Sequence, residues 1–144
     1  MKTVNILAIG CHPDDIEVSC AGTLARYKSL GHKVIMCHVT NGNMGHVMIM
    51  PGELREIREK EAKNSGKQIG AEVLTCDIDD VVIFSGKKEQ RDKVIDIIRL
   101  AQPDVIITHS PNDYMPDHIA VSKLVLDASF TATLDHYETK QKNI

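Results

Sequence analysis

Short apolar runs and longer periodic stretches alternate along the chain. Val4–Ile9, Val34–Val39 and Val105–Thr108 are compact, β-branched-rich runs, the pattern of strands buried on both faces. Val73–Cys76 and Val81–Phe84 are two further strand candidates with an acidic turn between them. The intervening stretches have helical spacing. Ala21–Leu30 reads as a helix closed by Gly31, in the position that a left-handed C-terminal residue prefers. Pro51 opens a helix that carries Leu54, Ile57, Glu61 and Ile69 and stops at Gly70. Lys88–Ala101 places Val94, Ile95, Ile98 and Ala101 on one face, and Pro103 ends it. Asp117–Phe130 is the last expected helix.

Strands separated by helices are βαβ units. The expected fold class is therefore α/β, a Rossmann-like three-layer α/β/α arrangement around a mostly parallel sheet. With no internal repeat and no linker, residues 1–144 read as a single domain. In such sheets ligands bind beyond the carboxyl ends of the strands. Three polar loops follow strands here: Cys11-His12-Pro13-Asp14-Asp15, Thr40-Asn41-Gly42, and His109-Ser110-Pro111-Asn112-Asp113.

Composition narrows the function classes. Hydrophobic residues make up 42% and charged residues 26%, an ordinary globular balance. A net charge of −3 offers no general attraction to nucleic acid or anionic lipid, so no nucleic-acid partner is expected. Runs such as Val81–Phe84 are far too short to span a membrane, and Met1-Lys2-Thr3 leads straight into strand-like sequence, which reads as cytoplasmic. The four cysteines, Cys11, Cys20, Cys37 and Cys76, show no C-x-x-C pair and read as buried thiols. Aromatic content of 3% argues against a stacking platform, so a sugar would have to be held by polar groups.

The chemistry concentrates in His12-Pro13-Asp14-Asp15. A His and an Asp three apart in a proline-stiffened turn can reach one metal ion, while Asp14 and Asp15 must point in different directions. A catalytic zinc takes about three protein ligands and leaves a position for water. The best-placed third ligand is His118, at the start of the last helix, with His109 second. The alternative is a plain turn in which Asp14 or Asp15 caps the next helix. The residues themselves support metal-assisted hydrolysis of a carbonyl or similar bond, and ferrous iron also suits such a donor set.

Taken together, His12–Asp15, Ala21-Gly22-Thr23, Thr40-Asn41-Gly42, Arg58 with Glu61-Ala62, Pro103-Asp104 and Pro116–His118 resemble, in order, the motifs of the LmbE-like (PIG-L) zinc-dependent N-deacetylases. The resemblance implies that His12, Asp15 and His118 bind zinc, that Asp14 is the general base, and that Arg58 contacts substrate. It implies removal of an acetyl group from an N-acetylglucosamine-type, small-molecule amino-sugar conjugate.

Two departures from the family pattern stand out. Many relatives carry an oxyanion-stabilising His where Met115 stands, and methionine cannot donate a hydrogen bond. His109 and Arg58 are the candidate substitutes; losing one such donor costs about 100- to 1000-fold in rate. The family also usually continues further, so this chain is expected to lack the usual C-terminal extension after its polar tail, Tyr137–Ile144. These departures keep a second expectation open, a metal-binding member without turnover. A nucleotide-binding module is disfavoured, because no G-x-G-x-x-G or P-loop pattern follows a strand. The loop with Met44, Met48 and Met50 reads equally as an apolar flap over the site, as core packing or as a contact in a homo-oligomer.

Overall fold

The strand runs become four parallel strands: β1 (Asn5–Gly10), β2 (Lys33–Thr40), β3 (Glu72–Ile78) and β4 (Val105–Thr108), in the order β3-β2-β1-β4. The structure, a computed structural model, describes residues 2–141; Met1 and the last three residues of the polar tail lie outside the described residues. Five helices connect and follow the strands: α1 (Asp15–Ser19), α2 (Ala21–Ser29), α3 (Pro51–Ile69), α4 (Lys88–Ala101) and α5 (Pro116–Thr131).

Alternation along the strands sorts the core into two layers. Ile6 and Ala8 of β1 and Val34 and Met36 of β2 point to one face, where Ile16 of α1 and Leu24 of α2 cover them. Leu7, Ile9, Ile35, Cys37 and Val39 point to the other, where Val94, Ile95 and Ile98 of α4 and Val121, Leu124 and Val125 of α5 pack. Burying each such side chain contributes about 1.5–3 kcal/mol, so both faces must be covered, and the three-layer α/β/α expectation holds. Three of the four cysteines are buried and all four are free.

The connections set the site. α1 to α3 carry the chain outward from β1 to β3 on one face, and α4 returns it across the other face to β4. The winding reverses between β1 and β4, which opens a crevice at their carboxyl ends.

Two local expectations differ. Val81–Phe84 is an irregular connection rather than a strand. Val81 has φ +59°, and Val81, Val82 and Phe84 are exposed while Ile83 alone enters the core. The preceding Asp80 is tied to the β2 exit, which turns the chain over the sheet end and prevents pairing with the edge strand β3. The short α1 was not anticipated, because it is one turn long and buries only Ile16.

Candidate metal centre and active-site cleft

The exits of three strands are stitched together. The Thr40 amide and hydroxyl at the end of β2 donate to the Cys11 carbonyl at 2.8 and 3.1 Å. The Cys11 amide donates to Nε2 of His109, past the end of β4, at 2.8 Å. Gly10 lets α1 fold back onto the strand end, since a Cβ there would stand 2.7 Å from Ile16 Cγ1. The His12 turn then closes on itself: the His12 amide donates to Asp15 Oδ2 at 2.6 Å. Asp15 therefore braces the turn, while Asp14, at the helix N-cap, makes no side-chain cap bond and is left for other partners.

Asp15 sits at the centre of a ring of imidazoles. Its Oδ2 lies 3.3 Å from His12 Nδ1, and its Oδ1 lies 3.3 Å from His118 Nε2. The ligand atoms of His12, Asp15 and His118 fall within 4.8 Å of one another, as a metal site requires. The opposite nitrogen of each histidine meets a second carboxylate: His12 Nε2 lies 3.4 Å from Asp117 Oδ2, and His118 Nδ1 lies 3.2 Å from Asp113 Oδ2. Such outer carboxylates fix the imidazole tautomer and aim the inner lone pair at a metal.

Electrostatics follow from this crowding. Burial works against the charge of Asp15, but His109, His12 and His118 outweigh it and hold the carboxyl far below its usual range. Burial also opposes protonation of His12, yet Asp15, with Asp80 and Asp117 adding, raises it overall. The Met115 amide, with His118, holds Asp113 below the usual carboxylate range.

Two other groups of potential ligands overlap this one, Cys11–His12–Asp117 and His109–Asp113–His118. Access separates the three. His12, Asp15 and His118 all line an open cleft of about 700 Å³. Cys11 is fully buried, and burial, followed by the charges of Asp117, Asp15 and Asp80, pushes its thiol far up. His109 and Asp113 line a smaller cavity of about 320 Å³ behind Asp15.

Asp14 and Arg58 line the same cleft as the three ligand candidates. Arg58, on α3, donates from Nη2 to Asp14 Oδ2 at 2.8 Å and to the Pro13 carbonyl at 2.5 Å, and from Nη1 to Glu61 at 2.9 Å. It thus straps the His12 turn from across the cleft. Gly42, at φ +74°, lets the β2 exit pass between Arg58 and Pro13, each 3.1 Å from where a Cβ would be.

The remaining expected residues are also placed. Met115 lines the cleft, so an apolar side chain stands where the family pattern has a donor. Of the two candidate substitutes, His109 turns Nε2 to the Cys11 amide, with Asp15 Oδ2 3.5 Å away, and lines the smaller cavity, whereas Arg58 is in the cleft itself. His109 also stacks on His118, with ring centroids 4.1 Å apart.

Three carboxylates were given no role from the sequence. Asp113 closes a loop already marked as polar, and Asp117 stands in the Pro116–His118 motif at the start of α5; their adjacency to ligand candidates was the available signal. Asp80 had none. It is buried and accepts the Gly42 and Met44 amides at 3.1 and 3.0 Å, while its own amide donates to Asn43 Oδ1 at 3.1 Å. The neighbouring Val81 amide donates to Asp117 Oδ2 at 2.9 Å, linking this loop to the histidine cluster.

Comparison with known proteins bears on the family and the fold. The profile of the family PIG-L: GlcNAc-PI de-N-acetylase matches residues 7–129. The uncharacterized deacetylase YaiS of Escherichia coli (strain K12) is 32% identical over 126 residues, covering 83% of this chain and 65% of that protein. Among solved structures, the conserved protein TT1542 from Thermus thermophilus superposes with a TM-score of 0.85 at 29% identity, over 99% of this chain and 63% of that one. The N,N'-diacetylchitobiose deacetylase from Pyrococcus horikoshii superposes with a TM-score of 0.84 at 27% identity, over 92% of this chain and 51% of that one. The chain spans about half to two thirds of the length of the curated relatives it matches.

Proposed function

The chain belongs to the PIG-L, GlcNAc-PI de-N-acetylase, family, and from that premise we propose that it is a zinc-dependent hydrolase that removes the acetyl group from an N-acetylglucosamine-type substrate. The observation that carries the reading is the double carboxylate–histidine arrangement, in which His12 and His118 each turn one nitrogen to Asp15 and the other to its own aspartate. Two nitrogens and one oxygen of this spacing fit zinc with a position left open to the cleft. When bound there, zinc would polarise the amide carbonyl and acidify water.

The chain's own groups supply the rest. Asp14 takes a proton from the attacking water and passes it to the leaving amine. The strap from Arg58 holds Asp14 at the cleft wall, and the guanidinium donors not used by Asp14, Pro13 and Glu61 are available to a substrate hydroxyl or to the carbonyl oxygen. His109 orients the first turn through the Cys11 amide. We read the substrate as a small N-acetylated amino-sugar conjugate and the setting as the cytoplasm; no helix among the described residues is long and apolar enough to cross a membrane.

The test is elemental analysis joined to acetate release. Protein purified without added metal is expected to carry about one zinc per chain, lost in His12→Ala, and to release acetate from at least one N-acetyl-amino sugar in a panel. No metal in the wild type after zinc is offered, or zinc without acetate from any substrate, refutes the reading. Met115 favours a second reading, a family member that binds metal without turnover; acetate release that disappears in Asp14→Asn excludes it.

A further inference from the structure

One histidine outside the cluster is out of character for its strand. His38 of β2 is 1% exposed, and its neighbours Val34, Ile35, Met36, Cys37 and Val39 are all apolar and buried. Its Nδ1 has no hydrogen-bond partner. A buried polar atom left unpaired opposes folding, and an apolar side chain of similar size would avoid that cost. What the histidine contributes must therefore come from its other nitrogen.

That nitrogen, Nε2, lies 3.3 Å from Glu17 Oε2. Glu17 is on α1, two residues after Asp15. Two residues along a helix turn a side chain by about 200°. Asp15 thus reaches the histidine cluster while Glu17 reaches the opposite way, to β2. Ser65 of α3 hydrogen-bonds the same carboxylate. Burial works against the charge of Glu17, but His38 and then Ser65 outweigh it and hold the carboxyl below its usual range.

The helix needs such a hold. It is five residues long, too short to be stable by itself, and buries only Ile16. One apolar anchor leaves α1 free to roll about its axis, and a roll would swing Asp15 away from His12 and His118. Packing around His38 is incomplete as well: a cavity of about 40 Å³ is lined by His38 and Thr40 of β2, Ala62 of α3 and Val73 of β3. The Arg58 strap grips the chain just before Asp15, at Pro13 and Asp14. The Glu17–His38 pair grips it just after.

We propose that Glu17 and His38 are positioning residues for the metal centre, whose contact fixes the roll of α1 and so the direction of the Asp15 carboxylate. The proposal rests on the metal-site reading for what Asp15 is aimed at. Neither side chain is one of the three ligand candidates or lines the cleft, so their effect on a metal passes through α1.

The experiment is titration of the metal-free full chain with cobalt(II), read by visible absorption, which reports ligand geometry. Glu17→Ala and His38→Leu are each expected to weaken cobalt binding about 10- to 100-fold and to change the band shape. Glu17→Gln keeps the length of the side chain and an acceptor oxygen for His38, and is expected to restore most of the affinity. The double variant Glu17→Ala/His38→Leu is expected to bind no more weakly than the weaker single variant, as for one shared contact. It leaves neither partner unpaired, so its stability in urea should stay near that of the wild type while its affinity falls. A merely structural role would lower both together.

Wild-type affinity and spectrum in both single variants, additive losses in the double variant, or affinity losses that track stability overturn the proposal. If the wild type binds no cobalt, the metal reading falls, and hydrogen exchange of the metal-free protein decides the positioning role. The His12 amide, which donates to Asp15, is then expected to exchange faster in Glu17→Ala; an unchanged rate overturns the proposal. Cobalt affinity that depends on the pair, in a protein that releases no acetate from any substrate, leaves the positioning role standing and removes the deacetylase reading.

Discussion

The histidine–carboxylate cluster and the loops that face it across the cleft are made from different parts of the fold and held by different means. The cluster residues stand within a few positions of strand ends and helix starts: His12 and Asp15 after β1, and His118 in the first turn of α5. Each is crosslinked through its side chain to a partner far along the chain, as Asp15 is to His118 and His12 to Asp117. The facing loops are shaped by backbone amides held on Asp80 and His46, with Met44 and Val81 exposed. The comparison teaches two ways of fixing a surface: side-chain contacts anchored at strand ends and a helix start tolerate little change, whereas loops held by backbone hydrogen bonds can vary their exposed side chains.

Substitutions can break this division in a graded way. The largest effect is expected from Asp15→Ala, which removes both a ligand candidate and the brace on the His12 turn; elemental analysis should find essentially no zinc, with acetate release abolished. Asp14→Asn should lower kcat by about 10²- to 10⁴-fold while zinc content stays at the wild-type level. That split separates the base from the ligands, and loss of zinc would refute it.

Smaller effects should come from the outer carboxylates. Asp113→Asn and Asp117→Asn should each weaken zinc affinity by about 10- to 100-fold, measured by competition with a chromophoric chelator. An unchanged affinity in both would show that they do not orient the histidines. In the loops that face the cluster, Asp80→Asn replaces one of two acceptor oxygens with a donor facing a backbone N–H. It should cost about 1–3 kcal/mol of stability by denaturant titration and speed hydrogen exchange at the Gly42 and Met44 amides. Zinc bound by the cluster should be retained. If zinc is lost as well, cluster and loops are one cooperative unit and the comparison fails.

Legibility from the sequence followed the range of the interactions involved. Lys88–Ala101 and Val105–Thr108 appear in the structure with the expected bounds, because periodicity and a closing proline are local signals. His12, Asp15 and His118 could be marked as ligand candidates because each sits in a short motif at an element boundary, and the structure places their ligand atoms within 4.8 Å of one another. Val81–Phe84 misled, since an apolar β-branched run normally marks a strand. Here the pull of Asp80 on the Gly42 and Met44 amides bends the chain before any ladder can form. Asp80 itself was silent, being one carboxylate among several in Asp77–Asp80, with partners about 36 to 38 residues away.

The alternation of strands and helices and the parallel sheet with helices on both faces were thus determined by the sequence alone, as was the choice of metal-ligand candidates. Each depends on patterns spanning a few residues, or on one hydrophobic face needing cover. The tertiary structure decided that His118 Nε2 faces Asp15, that Arg58 is strapped to Asp14, and that these groups line one cleft. Those relations arise between residues tens of positions apart, brought within a few ångströms by the parallel sheet and the helices packed on it.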